Sequence, residues 1–305
     1  MVSSISIKNK EVEKAIIEMI QKGGKMLRPT FLILFSKFGE SRNREKIAAL
    51  AASVELLHIA TLIHDDIVDE SKTRRGLETI AHRFGNDVAV YAGDYLFISV
   101  FKILSKHSKD LESIHLHSNH IERILNGEIG QMNLKYKTTQ TIDQYLDNIS
   151  GKTAELFGMS SFIGASESGL SAKQSKQAFD IGRNIGIAFQ IMDDLLDYTS
   201  KQDELGKPVL EDVKEGIYTL PLLLALEENP YAILPILEKK ADIPDSELIE
   251  LKRKIQETNA IQRCKKLIQN YTDKASKLIE KLPDSGIESK RLLLLLTQEL
   301  TKRTN

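Results

Sequence analysis

Two acidic motifs with the same spacing interrupt apolar, helix-forming segments of this chain. Both read DDxxD, and they occupy residues 65–69 and 193–197. Carboxylates placed among apolar side chains are unfavourable unless cations or hydrogen-bond donors compensate their charge. The two motifs therefore predict a cavity between helices, in which two carboxylate clusters face each other and hold divalent metal ions.

The overall composition is that of a globular protein. Hydrophobic residues make up 41% of the 305 residues and charged residues 28%, while the net charge is only −1, so no basic surface for nucleic acid is indicated. The single cysteine, Cys264, excludes an internal disulfide and suits the reducing cytoplasm. The first residues lack the apolar run of a signal peptide, and apolar runs such as residues 292–296 are too short to span a bilayer. We therefore expect a cytoplasmic protein without a transmembrane segment.

Apolar residues recur at three- and four-residue spacing along nearly the whole chain, and the alternation typical of strands is almost absent. The sequence therefore predicts an all-α fold, a large helical bundle without strands. No linker and no change in composition divide the chain, so we expect one domain over residues 1–305. The predicted helices are 9–22, 28–39, 44–69, 78–83, 87–107, 110–132, 142–167, 171–199, 213–227, 230–238, 245–257, 259–282 and 286–303.

The first motif places Asp65 and Asp69 on one face of a helix, with His58 two turns earlier on the same stripe. Carboxylate oxygens are hard ligands that suit Mg²⁺, and Mg²⁺ readily takes substrate phosphates as further ligands. The nearby Arg74 and Arg75 fit a phosphate-rich ligand, because guanidinium groups match phosphate oxygens. The alternatives are a solvated acidic helix end paired with Lys72 and these two arginines, and a satisfied core histidine at position 58.

Cationic loops accompany the second motif. Gln190, Asp193 and Asp197 share one helix face. Three loops combine glycine with one or two cations, and they lie at residues 23–29, 151–153 and 206–208. Each loop by itself is a weak signal. Together with two carboxylate clusters, the loops predict a site for two polyphosphate ligands bridged by metal.

These motifs resemble, in content and order, those of the trans-isoprenyl (polyprenyl) diphosphate synthase family. The resemblance runs from Gly23 to the C-terminus and points to a long-chain bacterial member of hexaprenyl or heptaprenyl type. The segments that carry it are GGKMLRP (23–29), HIATLIHDDIVDE with TRRG (58–76), GDYL (93–96), GEIGQ (127–131), GKTAELF (151–157), FQIMDDLLDY (189–198), GKP (206–208) and DVKEGIYTLP (212–221).

The resemblance implies the isoprenoid synthase fold, in which helices surround a deep central cavity, and usually a homodimer. It implies that isopentenyl diphosphate is condensed onto an allylic diphosphate such as farnesyl or geranylgeranyl diphosphate, with about three Mg²⁺ ions assisting ionisation. Isopentenyl diphosphate attacks the resulting allylic cation, and a proton is then eliminated. Some relatives also require a small non-catalytic subunit, and a long product would give peripheral contact with a membrane.

The resemblance also implies roles for individual residues. The Mg²⁺ ligands would be Asp65, Asp69 and Asp193, supported by Asp66, Asp194 and Asp197. The allylic diphosphate would be held by Arg74, Lys152 and Lys207, with Thr153 and Gln190 nearby. The isopentenyl diphosphate would be held by Lys25, Arg28, His58 and Arg75. The six aspartates, Lys152 and Lys207 form the predicted catalytic set.

Product length should depend on the side chains that precede the first motif. Leu57, Ala60 and Thr61 lie one to two helical turns before Asp65, and bulky aromatic residues at these positions block the growing tail in short-chain relatives. Ala60 and Thr61 are small, so the tail can pass toward Val54. We expect products of about thirty to forty carbons, with about twenty as the alternative, because the space between packed side chains limits the tail. Other side chains that close the tunnel would shorten the product.

Three other functions fit parts of the pattern. A class I terpene cyclase shares the fold and one Asp-rich motif, but it usually lacks a second DDxxD and an isopentenyl site. A non-catalytic regulatory subunit would have lost motif aspartates, and all are present here. A di-metal oxidoreductase would carry Glu-x-x-His pairs beside the motifs, and this chain has none there. Within the family, a geranylgeranyl diphosphate synthase and the catalytic subunit of a two-component heptaprenyl diphosphate synthase are alternatives.

Overall fold

The fold is almost entirely helical, which confirms the predicted all-α class. The computed structural model describes residues 1–2, 5–41, 43–200, 210–284 and 287–301, and the chain is 78% helical. The α-helices, in chain order, are α1 (Lys10–Lys22), α2 (Leu27–Phe35), α3 (Arg44–Val68), α4 (Ile80–Phe84), α5 (Asn86–His107), α6 (Leu111–Met132), α7 (Ile142–Ile149), α8 (Glu155–Glu167), α9 (Ala172–Thr199), α10 (Glu211–Lys214), α11 (Leu220–Glu228), α12 (Pro230–Leu237), α13 (Asp245–Gln256), α14 (Ala260–Glu280) and α15 (Ile287–Thr301).

Shorter elements supplement these helices. Two-residue strands, β1 (Thr73–Arg74) and β2 (Leu77–Glu78), form an antiparallel hairpin, so the prediction of a chain without strands is wrong at this point. A π-helical turn (Ser150–Ala154) joins α7 to α8, and a 3-10 turn (Lys240–Asp242) follows α12. The single helix predicted over 142–167 therefore contains a π turn.

The helix predicted over 213–227 is wrong, because the chain forms two helices there. After α10, Gly216 adopts a φ of 80°, and the next helix, α11, begins only at Leu220. Pro221 lies in the first turn of α11, where its missing amide hydrogen removes no helical hydrogen bond. The proline therefore begins a new helix. The helix predicted over 28–39 also ends early, because α2 stops at Phe35.

The chain divides into two compact units, and each motif belongs to a different one. The first unit comprises Met1–Ser118, Met159–Ala178 and Pro283–Ser289, and the second comprises Asn119–Gly158, Phe179–Leu282 and Lys290–Asn305. In the first unit, α3 carries the first motif and packs against α2 and α5. In the second unit, α9 carries the second motif, and its buried apolar face belongs to a core formed with α11, α13 and α14. The expected single domain stays a prediction.

Two helices, α3 and α5, are long and apolar enough to cross a membrane by length and composition alone. In α3, 61% of the most apolar window is buried inside the protein, as in a core helix. In α5 the buried share is 39%. The argument from uninterrupted apolar runs overlooked both helices, because isolated polar residues interrupt their apolar stretches.

Candidate active site

The first motif ends α3, and its three aspartates have different surroundings. Asp65 and Asp69 are partly exposed and one turn apart, and the Asp69 amide donates to the carbonyl of Asp65 at 2.8 Å. Asp66 is 2% exposed, and its Oδ1 accepts a hydrogen bond from Arg74 Nε at 2.6 Å. The structure therefore places Asp66 against a guanidinium and leaves Asp65 and Asp69 at the more exposed end of the helix.

The Asp66–Arg74 pair holds the hairpin against the end of α3. Burial raises the pKa of Asp66, Arg74 lowers it, and the neighbouring Asp65 and Asp69 raise it further. Removal of Arg74 would leave a buried carboxylate without its cation, which is strongly unfavourable. Arg74 thus stabilises the motif in addition to its predicted contact with diphosphate.

The hairpin also brings Arg75 to the glycine-rich loop that precedes α2. Arg75 and Gly76 both have positive φ, 54° and 74°, as in the two-residue turns of tight hairpins. The Arg75 guanidinium lies against Gly24, where an added Cβ would come within 2.9 Å of its Nη2. Gly24 therefore provides the space that the guanidinium occupies. Lys25 follows in the same loop, and its side chain is exposed.

A buried acid, Glu55, lies among the residues predicted to bind isopentenyl diphosphate. Glu55 is 2% exposed; burial raises its pKa, and Arg28 and Arg75 lower it. Burial lowers the pKa of Arg28 to about 10, while Glu55 opposes and Arg75 reinforces this shift. The pKa of His58 falls well below its usual value because of burial and then because of Arg28, Arg75 and Arg74.

The pKa shifts of Arg28 and His58 indicate a cluster of protonated guanidinium groups around a neutral imidazole. Arg28 stays protonated at neutral pH, since a pKa of about 10 lies well above it, and His58 is uncharged there. Guanidinium groups and a neutral imidazole suit a ligand with several anionic oxygens. Sequence reasoning overlooked Glu55, although a lone acid in an apolar stretch of α3, three residues before His58, was a readable signal.

The residues predicted to control product length lie in the interior of the first unit. Leu57 and Ala60 are fully buried, and Thr61 is nearly so. The Thr61 hydroxyl donates to the His58 carbonyl at 2.8 Å, so its polar atom is satisfied within α3. Val54 is buried as well. Val54, Leu57, Ala60 and Thr61 therefore present small or apolar side chains to the protein interior.

The second motif also has one buried aspartate and two more exposed ones, but its buried aspartate has different hydrogen-bond partners. Asp193 is exposed and Asp197 partly buried, whereas Asp194 is 6% exposed. The Tyr145 hydroxyl donates to Asp194 Oδ2 at 2.6 Å, and Gln190 Nε2 donates to Asp194 Oδ1 at 2.7 Å. Both donors are neutral, in contrast to the arginine at the first motif. Sequence reasoning assigned no role to Tyr145.

The pKa of Asp194 reflects this neutral environment. Burial raises it to about 7, the hydrogen bonds from Tyr145 and Gln190 lower it, and the nearby Asp212 and Asp193 raise it. The two hydrogen bonds are therefore the main stabilisation of the ionised form within this unit. A cation brought to the motif by a ligand would favour ionisation further.

The π turn carries Lys152 and Thr153. The Lys152 ammonium lies 2.9 Å from Gln131 Oε1 and 2.8 Å from a carboxylate oxygen of Glu128, both in α6. The Thr153 hydroxyl donates to Gln190 Oε1 in α9 at 2.8 Å. π turns within α-helices are frequent at functional sites. This turn brings two predicted substrate contacts, Thr153 and Gln190, into direct hydrogen bonding.

Glycines allow α6 and α9 to approach the π turn closely. An added Cβ at Gly127 would come within 2.7 Å of the Lys152 amide nitrogen, and one at Gly186 within 2.7 Å of the Ala154 Cα. Such distances are shorter than real Cβ contacts, so larger residues would displace the turn. The segment GEIGQ thus provides both Gly127 and a partner for Lys152, roles that sequence reasoning left unassigned.

The exposed carboxylates of each motif have the chemistry of magnesium ligands in a site that substrate completes. Within the described ranges, no three His, Cys, Asp or Glu side chains converge closely enough to hold a metal ion by themselves. Mg²⁺ usually binds proteins through one or two carboxylates and completes its shell with water and substrate phosphates. The partly exposed Asp65 and Asp69, and the exposed Asp193, suit that mode. Lys207, predicted to hold the allylic diphosphate, lies outside the described residues.

Comparison with known proteins shows which family has this arrangement. The sequence pattern described as polyprenyl synthetase matches residues 9–271. The chain belongs to the polyprenyl synthetase family. It is 35% identical over 291 residues to heptaprenyl diphosphate synthase component 2 of Geobacillus stearothermophilus, covering 95% of this chain and 89% of that protein. It is 30% identical over 291 residues to nonaprenyl diphosphate synthase of Mycobacterium tuberculosis, covering 95% and 86%.

Solved structures with similar folds come from the same family. Geranylgeranyl pyrophosphate synthase from Lactobacillus brevis superposes with a TM-score of 0.93 at 38% identity, covering 99% of this chain and 93% of that one. Heptaprenyl diphosphate synthase from Staphylococcus aureus superposes with a TM-score of 0.92 at 36% identity, covering 100% and 95%. The predicted isoprenoid synthase fold and prenyltransferase class are confirmed, and the oxidoreductase alternative is excluded.

The two glycines of GEIGQ provide a matched test of the packing at the π turn. Gly127→Ala should destabilise the protein by about 1–3 kcal/mol, because the new methyl group overpacks the turn. Gly130→Ala in the same helix meets only Asn148 Oδ1, at 3.9 Å, so it should stabilise by about 0.5–1 kcal/mol through helix propensity. Urea unfolding of both variants measures the difference, and equal effects would contradict the close approach.

Proposed function

We propose that this polyprenyl synthetase condenses isopentenyl diphosphate with an allylic diphosphate, farnesyl or geranylgeranyl diphosphate, to form a long-chain all-trans polyprenyl diphosphate. The observation that carries the proposal is the presence of two complete DDxxD motifs together with a second group of cations, Arg28 and Arg75, whose charges act on His58. A prenyltransferase of this kind needs one site that ionises a diphosphate and another that binds a second diphosphate intact.

The aspartate motifs serve the allylic diphosphate. Asp65, Asp69 and Asp193 hold Mg²⁺, which neutralises the diphosphate and makes it a better leaving group. We propose about three Mg²⁺ ions per site, as the family resemblance implies. Lys152 lies on the π turn next to Thr153, and we propose that its ammonium binds the same diphosphate. Lys207 adds a second ammonium in this proposal.

The cationic cluster of the first unit serves isopentenyl diphosphate. Arg28 and Arg75 contribute guanidinium groups, and the exposed Lys25 adds an ammonium from the adjoining loop. His58, held neutral by burial and by three arginines, donates a hydrogen bond without attracting a proton from the reaction. Glu55 compensates part of the positive charge in the absence of ligand, so the cluster remains stable before substrate binds.

The reaction itself needs little acid–base chemistry from the protein. The allylic carbon–oxygen bond breaks, the double bond of isopentenyl diphosphate attacks the allylic carbon, and one proton is lost to restore a double bond. We propose that the departing diphosphate takes that proton. The apolar interior around Leu57 and Ala60 then protects the cationic intermediate from water.

Product length follows from the same part of α3. Ala60 and Thr61 are buried and small, so we propose that a tail passes them toward Val54 and reaches about thirty to forty carbons before packed side chains stop it. A geranylgeranyl product is the second candidate, since the similar solved structures include a geranylgeranyl pyrophosphate synthase as well as a heptaprenyl diphosphate synthase.

Assembly and location complete the proposal. One relative is named as a component of a heptaprenyl diphosphate synthase, so this chain could act with a small non-catalytic subunit. Its complete Asp motifs would make it the catalytic partner. We place the enzyme in the cytoplasm, in accord with its single buried cysteine, with membrane contact only through the product.

We propose that a second copy of this chain binds the exposed face of α5 and forms a homodimer. On this helix, Tyr91 is 75% exposed, Ile98 55% and Val90 42%. A run of apolar side chains along one helix face is typical of a protein–protein interface. A dimer formed there would cover these residues without using either Asp motif.

Replacement of metal-site aspartates tests the chemistry. Asp65→Ala and Asp193→Ala should each lower turnover by about a hundredfold or more, since the metal supplies several kcal/mol of transition-state stabilisation. Asp273→Ala, at an exposed position of α14, is the matched control and should retain activity. Steady-state kinetics with circular dichroism as a check of folding provide the readout. Unchanged turnover in either motif variant would refute metal ligation at that position.

A size series at Ala60 tests control of product length. Ala60→Val, Ala60→Leu and Ala60→Phe should give progressively shorter products, because each larger side chain fills more of the proposed tail path. Chromatography of the prenyl products measures the effect. A product distribution that stays constant across the series would show that the tail does not pass Ala60.

The molar mass in solution tests the proposed dimer. The purified chain should have twice the mass of 34.3 kDa by light scattering, and Ile98→Lys should shift it toward the monomer, because a buried unpaired ammonium is costly at an interface. Leu295→Lys, at an exposed leucine of α15, is the matched control and should leave the mass unchanged. A wild-type monomer, or a dimer unaffected by Ile98→Lys, would contradict this interface.

A further inference from the structure

Tyr145 is a buried tyrosine whose hydroxyl ends on the middle aspartate of the second motif. It lies in α7, is 3% exposed, and donates to Asp194 Oδ2 at 2.6 Å. Gln190 donates to the other carboxylate oxygen, Oδ1, at 2.7 Å. The Asp194 carboxylate is therefore fixed on both oxygens by neutral donors.

These bonds belong to a longer chain of side chains. Thr153 donates to Gln190 and Gln190 donates to one oxygen of Asp194, while Tyr145 donates to the other oxygen of Asp194. This series of hydrogen bonds connects the π turn, α9 and α7. Each bond is 2.8 Å or shorter, and buried hydrogen bonds of this length restrict rotation of the groups that they join.

Holding Asp194 also affects its neighbours in α9. Asp194 is flanked by Asp193 and followed one turn later by Asp197, so any rotation or shift of α9 at Asp194 moves both of the other carboxylates. At the first motif the corresponding aspartate, Asp66, is held by a cation, Arg74. At the second motif the same anchoring is achieved by neutral groups, which adds no positive charge close to the metal-binding carboxylates.

We propose that Tyr145 is a positioning residue for the second aspartate motif: its hydroxyl holds Asp194 so that α9 presents Asp193 and Asp197 to a magnesium-bound diphosphate. The proposal deepens the function proposed above and rests on it for the identity of the ligand. Tyr145 itself contacts no substrate in this account. It acts only through Asp194.

A purely structural role is the alternative, since the Tyr145 ring also belongs to the apolar core of the second unit. Tyr145→Phe keeps the ring and removes only the hydroxyl, so it separates the two roles. If Tyr145 only fills space, the variant should bind ligands as the wild type does. If it positions the motif, metal and diphosphate binding should weaken while isopentenyl diphosphate binding does not.

The experiment measures binding of Mn²⁺, a spectroscopic substitute for Mg²⁺, in the presence of inorganic diphosphate. Electron paramagnetic resonance of free Mn²⁺ gives the dissociation constant. Tyr145→Phe should raise that constant by about 10- to 100-fold, the usual effect of losing a hydrogen bond to a metal-binding shell. In steady-state assays, the KM for the allylic diphosphate and the half-saturating Mg²⁺ concentration should rise, at an unchanged KM for isopentenyl diphosphate.

Tyr218→Phe is the matched control. Tyr218 is equally buried in the same unit, and within the described part of the chain its hydroxyl has no hydrogen-bond partner. Loss of that hydroxyl should leave Mn²⁺ binding unchanged. Equal Mn²⁺ binding by the wild type and Tyr145→Phe would overturn the proposal, and so would an equal loss in both tyrosine variants.

A double-mutant cycle shows whether Tyr145 acts through Asp194. In an Asp194→Asn background, Tyr145→Phe should have little further effect on Mn²⁺ binding, because the interaction that it removes is already altered. An undiminished effect in that background would overturn the proposal. The cycle uses the Tyr145→Phe single variant, which should fold because it keeps the ring in the core and leaves Gln190 as a donor to Asp194.

Failure of this proposal is distinguishable from failure of the proposed function. A wild-type chain that forms prenyl products but binds Mn²⁺–diphosphate equally well with and without the Tyr145 hydroxyl keeps the function and loses the positioning role. A wild-type chain that forms no products, with normal Mn²⁺–diphosphate binding that depends on Tyr145, would keep the positioning role and lose the proposed reaction.

Discussion

Burial of the middle aspartate in each DDxxD motif is the constraint on which the rest of the structure depends. Asp66 and Asp194 lose nearly all contact with solvent, and each needs compensation inside its own unit. Asp66 obtains it from Arg74, so the chain must turn back after α3 in a tight hairpin. Asp194 obtains it from Tyr145 and Gln190, so α7 must lie beside α9. Each anchored aspartate then fixes the helix that carries its neighbours.

Two glycines provide the space that this packing of the site residues requires. Gly24 leaves room for the Arg75 guanidinium after the hairpin has placed it there. Gly127 lets α6 approach the π turn, so that Lys152 reaches partners in that helix. At Gly24 the missing side chain leaves space for a guanidinium, and at Gly127 it leaves space for the backbone of Lys152, whose ammonium binds side chains of α6. Cations that are held before ligand arrives lose less entropy when they bind it, which favours affinity for diphosphate.

The fold class and the aspartate motifs could be predicted from sequence because they rest on local patterns. Apolar spacing specifies helices, and a carboxylate repeated inside an apolar segment is rare enough to indicate a site. The π turn at Ser150–Ala154 could not be predicted, since its extra residue depends on how closely α6 and α9 pack against it. The break before α11 was signalled by Pro221, which lies inside the predicted helix 213–227 and which the sequence allowed either to kink or to restart a helix; the structure shows the restart, after Gly216.

Partners of the site residues were the hardest to predict. Glu55 lies in an apolar stretch and Tyr145 looks like a core residue, and only tertiary structure brings Glu55 near Arg28 and Arg75 and Tyr145 to Asp194. Arg74 was predicted as a ligand for diphosphate, and its bond to Asp66 adds a second role. Which residues carry charge is readable in the sequence, whereas which charges compensate each other depends on packing.

Product analysis of the purified chain tests the central claim most directly. The chain would be incubated with isotopically labelled isopentenyl diphosphate, Mg²⁺ and either farnesyl or geranylgeranyl diphosphate, and the prenyl products separated by length. We predict products of about thirty to forty carbons, since the proposed tail path runs past the small residues Ala60 and Thr61. Absence of any extension with both primers, in a folded protein that still binds Mg²⁺ and diphosphate, would contradict a self-sufficient long-chain synthase.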